Sequence, residues 1–297
     1  MKDYRIAGHR VSIDYGNYAC AEELLPNLRP FLLNDAEKQD NPVLTLTVTD
    51  IPLHSPEEDT EIGRFDVGGC MHGVYRTPEG GYRFEIHDLS GHLCGHMVSD
   101  VDFSHCRAQV FPGSKAQQIY GLNNSLMIAF AFATATMDTI LIHSSVIRCD
   151  GRGYLMTAPS GTGKSTHTKL WYDNIPNCDL MNDDNPIIRI LSDGTPTVYG
   201  SPWSGKTHCY RNISAPIGGI VRLRQRPQNS IRRLRAIEAF AELLPACSSM
   251  KWDERVYNGV CDSITKFVRS CGIWELGCLP DREAAILCHD TISKENN

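Results

Sequence analysis

The chain has 297 residues, 41% of them hydrophobic and 22% charged, with 29 basic against 35 acidic residues and a formal net charge of −6. That composition is ordinary for a folded protein large enough to bury one or two cores, and its acidic balance argues against non-specific nucleic-acid binding. Its most apolar run, Leu126–Thr136, falls short of the ~18 residues of a membrane helix, and Met1-Lys2-Asp3-Tyr4-Arg5 lacks the apolar core of a signal peptide, so no membrane partner and a cytoplasmic location are expected.

Residues 1–115 read as mainly β. Val43–Val48 and Tyr82–Ile86 alternate apolar and polar residues, and Asn41-Pro42, Thr77–Gly81 and Phe111-Pro112-Gly113 supply turns. Ala21–Leu33 holds a short helix broken at Pro26, and the acidic stretch Ser55–Glu61 reads as a solvated loop. After Gly113 the character changes. Lys115–Met137, rich in Ala, Leu, Met and Phe and free of proline, predicts a mostly buried helix, followed by a strand at Thr139–His143. Val146–Cys149 and Gly153–Thr157 are strands flanking a turn at Asp150-Gly151. A strand-rich section at Ile187–Val198 follows, then helices near Ala236–Leu244 and Asp253–Ser270, a strand at Ile273–Cys278 and a helix after Pro280. The expected division is therefore a smaller β-rich region, 1–115, and an α/β region, 116–297. The 12 cysteines are spread from Cys20 to Cys288 without regular spacing, which suits reduced, mostly buried thiols better than a disulfide framework.

Two segments match or nearly match a phosphate-loop pattern. Gly200–Thr207 fits the letters without exception, whereas Ala158–Ser165 has Ala in place of the first Gly. Physical chemistry favours the second. A phosphate loop aims backbone N–H groups at one anion from a flexible turn between a strand and a helix N-terminus. Gly153–Thr157 supplies the strand, Gly161 and Gly163 the permissive backbone, and Ser165–Trp171 the helix. The Gly200 segment carries Pro202, which removes a donor, and no helix-forming sequence follows it. Ser160, Gly161, Thr162, Gly163, Lys164, Ser165 and Thr166 are thus the expected nucleotide cradle, with Lys164 on the β- and γ-phosphates and Ser165 on Mg²⁺. Magnesium needs a further carboxylate, and the adjacent Asp183-Asp184 at a strand end offers one for the metal and one for proton transfer.

Three pieces, Ile142-His143-Ser144-Ser145, Ser160–Thr166 and Asn182-Asp183-Asp184-Asn185-Pro186, stand in the order of a known group. Over about residues 120–225 the chain resembles the catalytic domain of the HPr kinase/phosphorylase family and its serine-kinase-like relatives, whose P-loop fold is shared with phosphoenolpyruvate carboxykinase. The resemblance implies an ATP- and Mg²⁺-dependent kinase acting on a serine-type hydroxyl of a small molecule, peptide or protein, in an enzyme that often forms homo-oligomers. It implies Asp183 as general base, Asp184 as metal ligand and His143 beside the γ-phosphate. Lys206 would add charge from a loop near the active site. The glycine-rich basic segment typical of the bifunctional HPr enzymes is absent after the acids, which counts against HPr as acceptor. A carboxykinase-like lyase and a non-catalytic nucleotide-binding module are the competing readings. A zinc site is a further possibility, because His92, Cys94 and His96 alternate and Cys70 and His72 can lie on a neighbouring strand, although the spacing matches no recognised finger.

Overall fold

The structure, a computed structural model, describes residues 1–16, 22–38, 40–53, 56–67, 69–205 and 207–294. It is a mixed α/β protein with two large sheets, and the chain divides into two compact units. One comprises Met1–Thr134 and Met250–Asp253, the other Ala135–Ser249 and Glu254–Asn297.

Among the described residues, the first unit holds eight strands: β1 (Lys2–Ile6), β2 (His9–Asp14), β3 (Leu44–Thr49), β4 (Thr60–Val67), β5 (Cys70–Arg76), β6 (Tyr82–His87), β7 (Leu93–Ser99) and β8 (His105–Val110). They form one sheet in the order β1-β2-β3-β8-β7-β6-β5-β4, parallel only at β2–β3 and β3–β8. The alternation in β3 has the expected consequence. Leu44, Leu46 and Val48 are buried while Thr45, Thr47 and Thr49 face the other way. Helix α1 (Lys115–Ala133) opens with a capping box between Ser114 and Gln117 and packs on β6, β7 and β8. Its Phe132 ring meets Phe84 and Phe103 at 6.1 and 5.2 Å. The helix therefore closes the core of the first unit, and the division between units falls after α1 rather than before it as the sequence suggests. The acidic stretch at 55–61 is not wholly a loop either. Pro56–Glu58 forms a 3-10 turn and Thr60 already belongs to β4, while Ser55 lies outside the described residues. The short helix expected near Pro26 is two 3-10 segments, Glu22–Leu24 and Pro26–Phe31, with Pro26 opening the second.

The second unit contains β9 (Thr139–Leu141), β10 (Ser144–Cys149), β11 (Arg152–Thr157), α2 (Lys164–Asn174), β12 (Cys178–Asp184), β13 (Ile187–Ile190), β14 (Pro196–Tyr199), β15 (Ser214–Gln225), β16 (Ser230–Arg233), α3 (Ala236–Leu243), α4 (Glu254–Ser270), β17 (Ile273–Cys278) and α5 (Arg282–Ser293). Its central strands run β12-β10-β11-β15-β17, with β11–β15 and β15–β17 parallel. The β10–β11 hairpin turns at Asp150 and Gly151, both at positive φ (47° and 78°), the backbone a tight two-residue hairpin needs. Met156 of β11, Val221 of β15, Leu276 of β17, Trp171 of α2 and Ala285 of α5 meet in one buried cluster that fixes α2 and α5 on the sheet. Burying Trp171 completely contributes roughly 3 kcal/mol on an area basis.

One pair of cysteines departs from the expectation of reduced thiols. The antiparallel register of β10 and β12 sets Cys149 opposite Cys178, and the two form a disulfide. Nine other cysteines among the described residues are free thiols. No helix among the described residues is long and apolar enough to cross a membrane.

Candidate active site

The site is built at the end of the second unit's sheet where β11 runs into α2. β11 ends at Thr157, the chain turns through Ala158–Gly163, and α2 starts at Lys164. Gly161 and Gly163 sit at φ 78° and 111°, a region that side-chain-bearing residues rarely enter. A Cβ at Gly161 would meet nothing within 4 Å, so the glycine is there for backbone shape rather than packing. No side chain caps α2 at its N-terminus. Its first turn therefore presents N–H donors and the positive end of the helix dipole to the loop, and the first of its N–H groups to find a carbonyl is that of His167, on Gly163. Gln225, the last residue of β15, donates to Thr162 O at 3.3 Å and so ties the loop to the neighbouring strand.

Lys164 points from α2 across the sheet end. Its Nζ lies 2.6 Å from His143 Nε2 and donates to Ala158 O at 3.1 Å. An ammonium has only donors, so His143 accepts through Nε2 and keeps its proton on Nδ1. That Nδ1 faces Asp184 Oδ1 at 3.5 Å. Burial, and then the Lys164 charge, push the His143 pKa down, favouring the neutral ring. Burial lowers the Lys164 pKa, against the pull of Asp184 and Asp183. Burial raises that of Asp184, with His143 and Lys164 opposing it.

The two acids have different partners. Asp183 is 6% exposed, and its Oδ1 accepts from Ser165 Oγ at 2.9 Å. The Asp184 side chain is 33% exposed, and its Oδ2 accepts from Asn185 Nδ2 at 2.8 Å. Strand register explains the division. Asp184 pairs with Ser144, Ser144 with Thr157 and Thr157 with Arg222, a row of side chains on one face of the sheet. Asp183 pairs with Ser145, whose Oγ accepts from Thr168 of α2 at 3.0 Å on the opposite face. Adjacent acids on one strand thus serve the two sides of the sheet.

The segment that fits the phosphate-loop letters without exception has another role. No helix follows Thr207. Instead the segment braces the acid strand. Asn182, fully buried, donates to Ser201 Oγ at 3.2 Å and Trp203 O at 3.1 Å, and its Oδ1 accepts the Asp184 N–H at 3.2 Å. Gly205 N donates to Asp183 O at 2.7 Å, so close that a Cβ there would stand 2.8 Å from that oxygen. Lys206 lies outside the described residues.

Of the expected residues, His143, Lys164, Ser165, Asp183 and Asp184 form one linked group, and Ser160, Gly161, Thr162, Gly163 and Thr166 belong to the adjoining turn and first helical turn. Sequence reasoning did not find Gln225, and it singled out the segments that hold Asn182, Ser201 and Trp203 without their bracing role. Beside the loop lies a cavity of about 630 Å³ lined by Gly161, Thr162, Gly163, Leu170, Leu223, Gln225, Arg226 and Leu279, among others, with apolar walls and a few polar groups. Ser165 Oγ and the Asp183 carboxylate are both hard oxygen donors in contact at a helix N-terminus, the donor chemistry magnesium takes.

Three of the possible zinc ligands of the first unit, His92, Cys94 and His96, have other partners. His92 is exposed and faces Asp88 at 3.3 Å, Cys94 Sγ donates to His92 O, and His96 stacks edge-on against Phe111. Among the described residues no group of three or more His, Cys, Asp or Glu side chains is placed to hold a metal ion.

No protein-family model matches the chain. No curated protein matches it either. Among solved structures, it is similar to the Hpr(Ser) kinase/phosphatase from Coxiella burnetii at 10% identity and a TM-score of 0.32, over 53% of this chain and 99% of that chain. A likeness this slight assigns neither family nor activity.

Proposed function

We propose that the protein is an ATP- and magnesium-dependent kinase that transfers the γ-phosphate to an alcohol hydroxyl of a small molecule, peptide or protein. The observation that carries this reading is that one sheet end joins three parts: a glycine turn at a helix N-terminus, the Ser165–Asp183 oxygen pair, and the Lys164–His143–Asp184 chain. Phosphoryl transfer asks mainly for positioning and charge neutralisation, and each part supplies one of these.

The N–H groups of the turn and of the first turn of α2 would hold the phosphates, with the nucleoside end in the adjacent cavity of about 630 Å³. Ser165 and Asp183 would hold magnesium, which when bound neutralises charge on the β- and γ-phosphate oxygens. This exchanges the roles that the sequence resemblance gives the two acids, because Ser165 touches Asp183 and not Asp184. Asp184 is the more exposed acid, and its raised pKa suits a proton acceptor. It would take the proton of the acceptor hydroxyl as that oxygen bonds the γ-phosphorus and the bond to the β–γ bridging oxygen breaks. His143 would orient Asp184 through Nδ1, and Lys164 would leave its contact with His143 for the phosphate oxygens.

The test is transfer of labelled γ-phosphate to candidate acceptors, beginning with serine, threonine and proteins of the source cell. A phosphorylated alcohol product supports the reading. Release of CO₂ from oxaloacetate with ATP, or absence of any turnover, contradicts it.

A further inference from the structure

The row of side chains that begins with Asp184 of β12 runs through Ser144 of β10 and Thr157 of β11 to Arg222 of β15. Three strand spacings of about 4.8 Å set the backbones of Asp184 and Arg222 about 14 Å apart. Ser144 and Thr157, small and buried, form the floor between them, and a longer charged side chain stands at each end. Lys164 Nζ comes to this floor. It is held by His143 Nε2 and Ala158 O, whose residues adjoin Ser144 and Thr157.

Arg222 is fixed by one edge. Its Nε is buried and lies 2.9 Å from Glu242 Oε2 of α3. Glu242 is shared, because its other oxygen pairs with Arg224 of the same strand, which also pairs with Glu275 of β17 at 3.1 Å. Among the described residues the two terminal nitrogens of Arg222 make no hydrogen bond, although the side chain is only 15% exposed. Burial lowers the Lys164 pKa and the Arg222 charge adds to that effect, so the two cations feel each other across the row. Two cations on one largely buried face repel, and an anion between them removes that cost. Pinning α3 to the sheet through Glu242 accounts for the Nε contact alone. It leaves the planar fork, which suits phosphate oxygens, without a use.

We propose that Arg222 is a catalytic residue, whose terminal nitrogens donate to the γ-phosphate oxygens beside Lys164. The inference rests on the kinase reading and deepens it. As the acceptor oxygen bonds the γ-phosphorus, its proton passes to Asp184, and the bond to the β–γ bridging oxygen breaks with its electron pair left on ADP. Arg222 and Lys164 stabilise the three equatorial oxygens during this exchange.

The experiment compares the wild-type chain with Arg222→Gln, Arg222→Lys and Glu242→Gln, each checked for folding by circular dichroism. Calorimetry measures Mg-ATP and Mg-ADP affinity separately, and labelled γ-phosphate transfer gives kcat. Arg222→Gln should lose about tenfold in ATP affinity with ADP affinity nearly kept, because only the γ-phosphate loses a charged donor. Its kcat should fall at least ~10²-fold. Arg222→Lys keeps a cation for Glu242 and so keeps α3 in place, yet it loses the fork and should also lose turnover. Glu242→Gln breaks the same ion pair from the other side and should show far smaller losses. Equal losses in Glu242→Gln and Arg222→Gln would show that the arginine acts only by holding α3, and would overturn the proposal. Wild-type kcat in either arginine variant would overturn it as well, and in both cases the kinase reading stands. A wild-type chain that binds no ATP would overturn both.

Discussion

Gly205→Ala tests how closely the bracing segment controls the acids. Gly205 does not occupy the left-handed region, so alanine suits its backbone, and only the close approach is at stake. The new Cβ would stand 2.8 Å from Asp183 O and 3.4 Å from Asp184 Cβ. Ordinary contact begins near 3.4 Å, so the segment and the acid strand must part by about half an ångström. The Gly205 N–H bond to Asp183 O, now 2.7 Å, lengthens accordingly, and the Ser165–Asp183 contact loosens with it. A misplacement of about 1 Å costs roughly 10²-fold in rate, so half of that should cost about tenfold in kcat. Overpacking of this kind should also lower stability by about 1–3 kcal/mol. Nucleotide affinity should change little, because the glycine turn and α2 are untouched. The assay pairs initial rates of γ-phosphate transfer with calorimetric nucleotide titration and thermal melting. A variant with wild-type kcat and wild-type melting would refute the argument that Gly205 is required by its contact with the acids.

Two further outcomes follow. His167, buried in α2, accepts from Trp171 Nε1 at 3.2 Å and has its pKa pushed by burial down to about 4. The folded state therefore resists protonation that the unfolded chain accepts near pH 6.5, so its contribution is present above that pH and is lost as pH falls toward 4, an effect of about 3 kcal/mol. Urea unfolding between pH 7 and 4 should show a steeper loss for the wild-type chain than for His167→Gln, and parallel profiles would count against the assignment. Gln225→Ala removes a neutral hydrogen bond to the glycine turn worth about 1 kcal/mol, so nucleotide affinity should fall about fivefold with kcat nearly preserved, as titration and saturation kinetics would report.

Local chemistry made much of the second unit readable. Gly161 and Gly163 next to a β-run and a helix former marked the turn, while the grouping of His143 with Asp183-Asp184 was an expectation of the family resemblance rather than of local chemistry. Which acid faced Ser165 was not readable, because that depends on the register of β12 against β10, a pairing between segments far apart in the chain. Cys149 and Cys178 became partners through the same register. Helix α1 starts at the expected Lys115 and ends four residues early, at Ala133, but its sheet was decided by the fit of Phe132 against Phe84 and Phe103, which no local pattern encodes. The Gly200 segment matched a motif by its letters, while its structural role rests on a hydrogen-bond hub at Asn182 that only the fold brings together.

In the proposed mechanism the glycine turn and Lys164 receive a nucleotide's phosphates while Asp184 serves the acceptor. Calorimetric titration of ATP with magnesium into the wild-type, Lys164→Ala and Asp184→Asn chains, each also assayed for γ-phosphate transfer, tests it directly. The wild-type chain should bind tightly and turn over, Lys164→Ala should bind more weakly, and Asp184→Asn should bind near-normally with turnover reduced at least ~10²-fold. Failure of the wild-type chain to bind ATP, or full activity in Asp184→Asn, would contradict it.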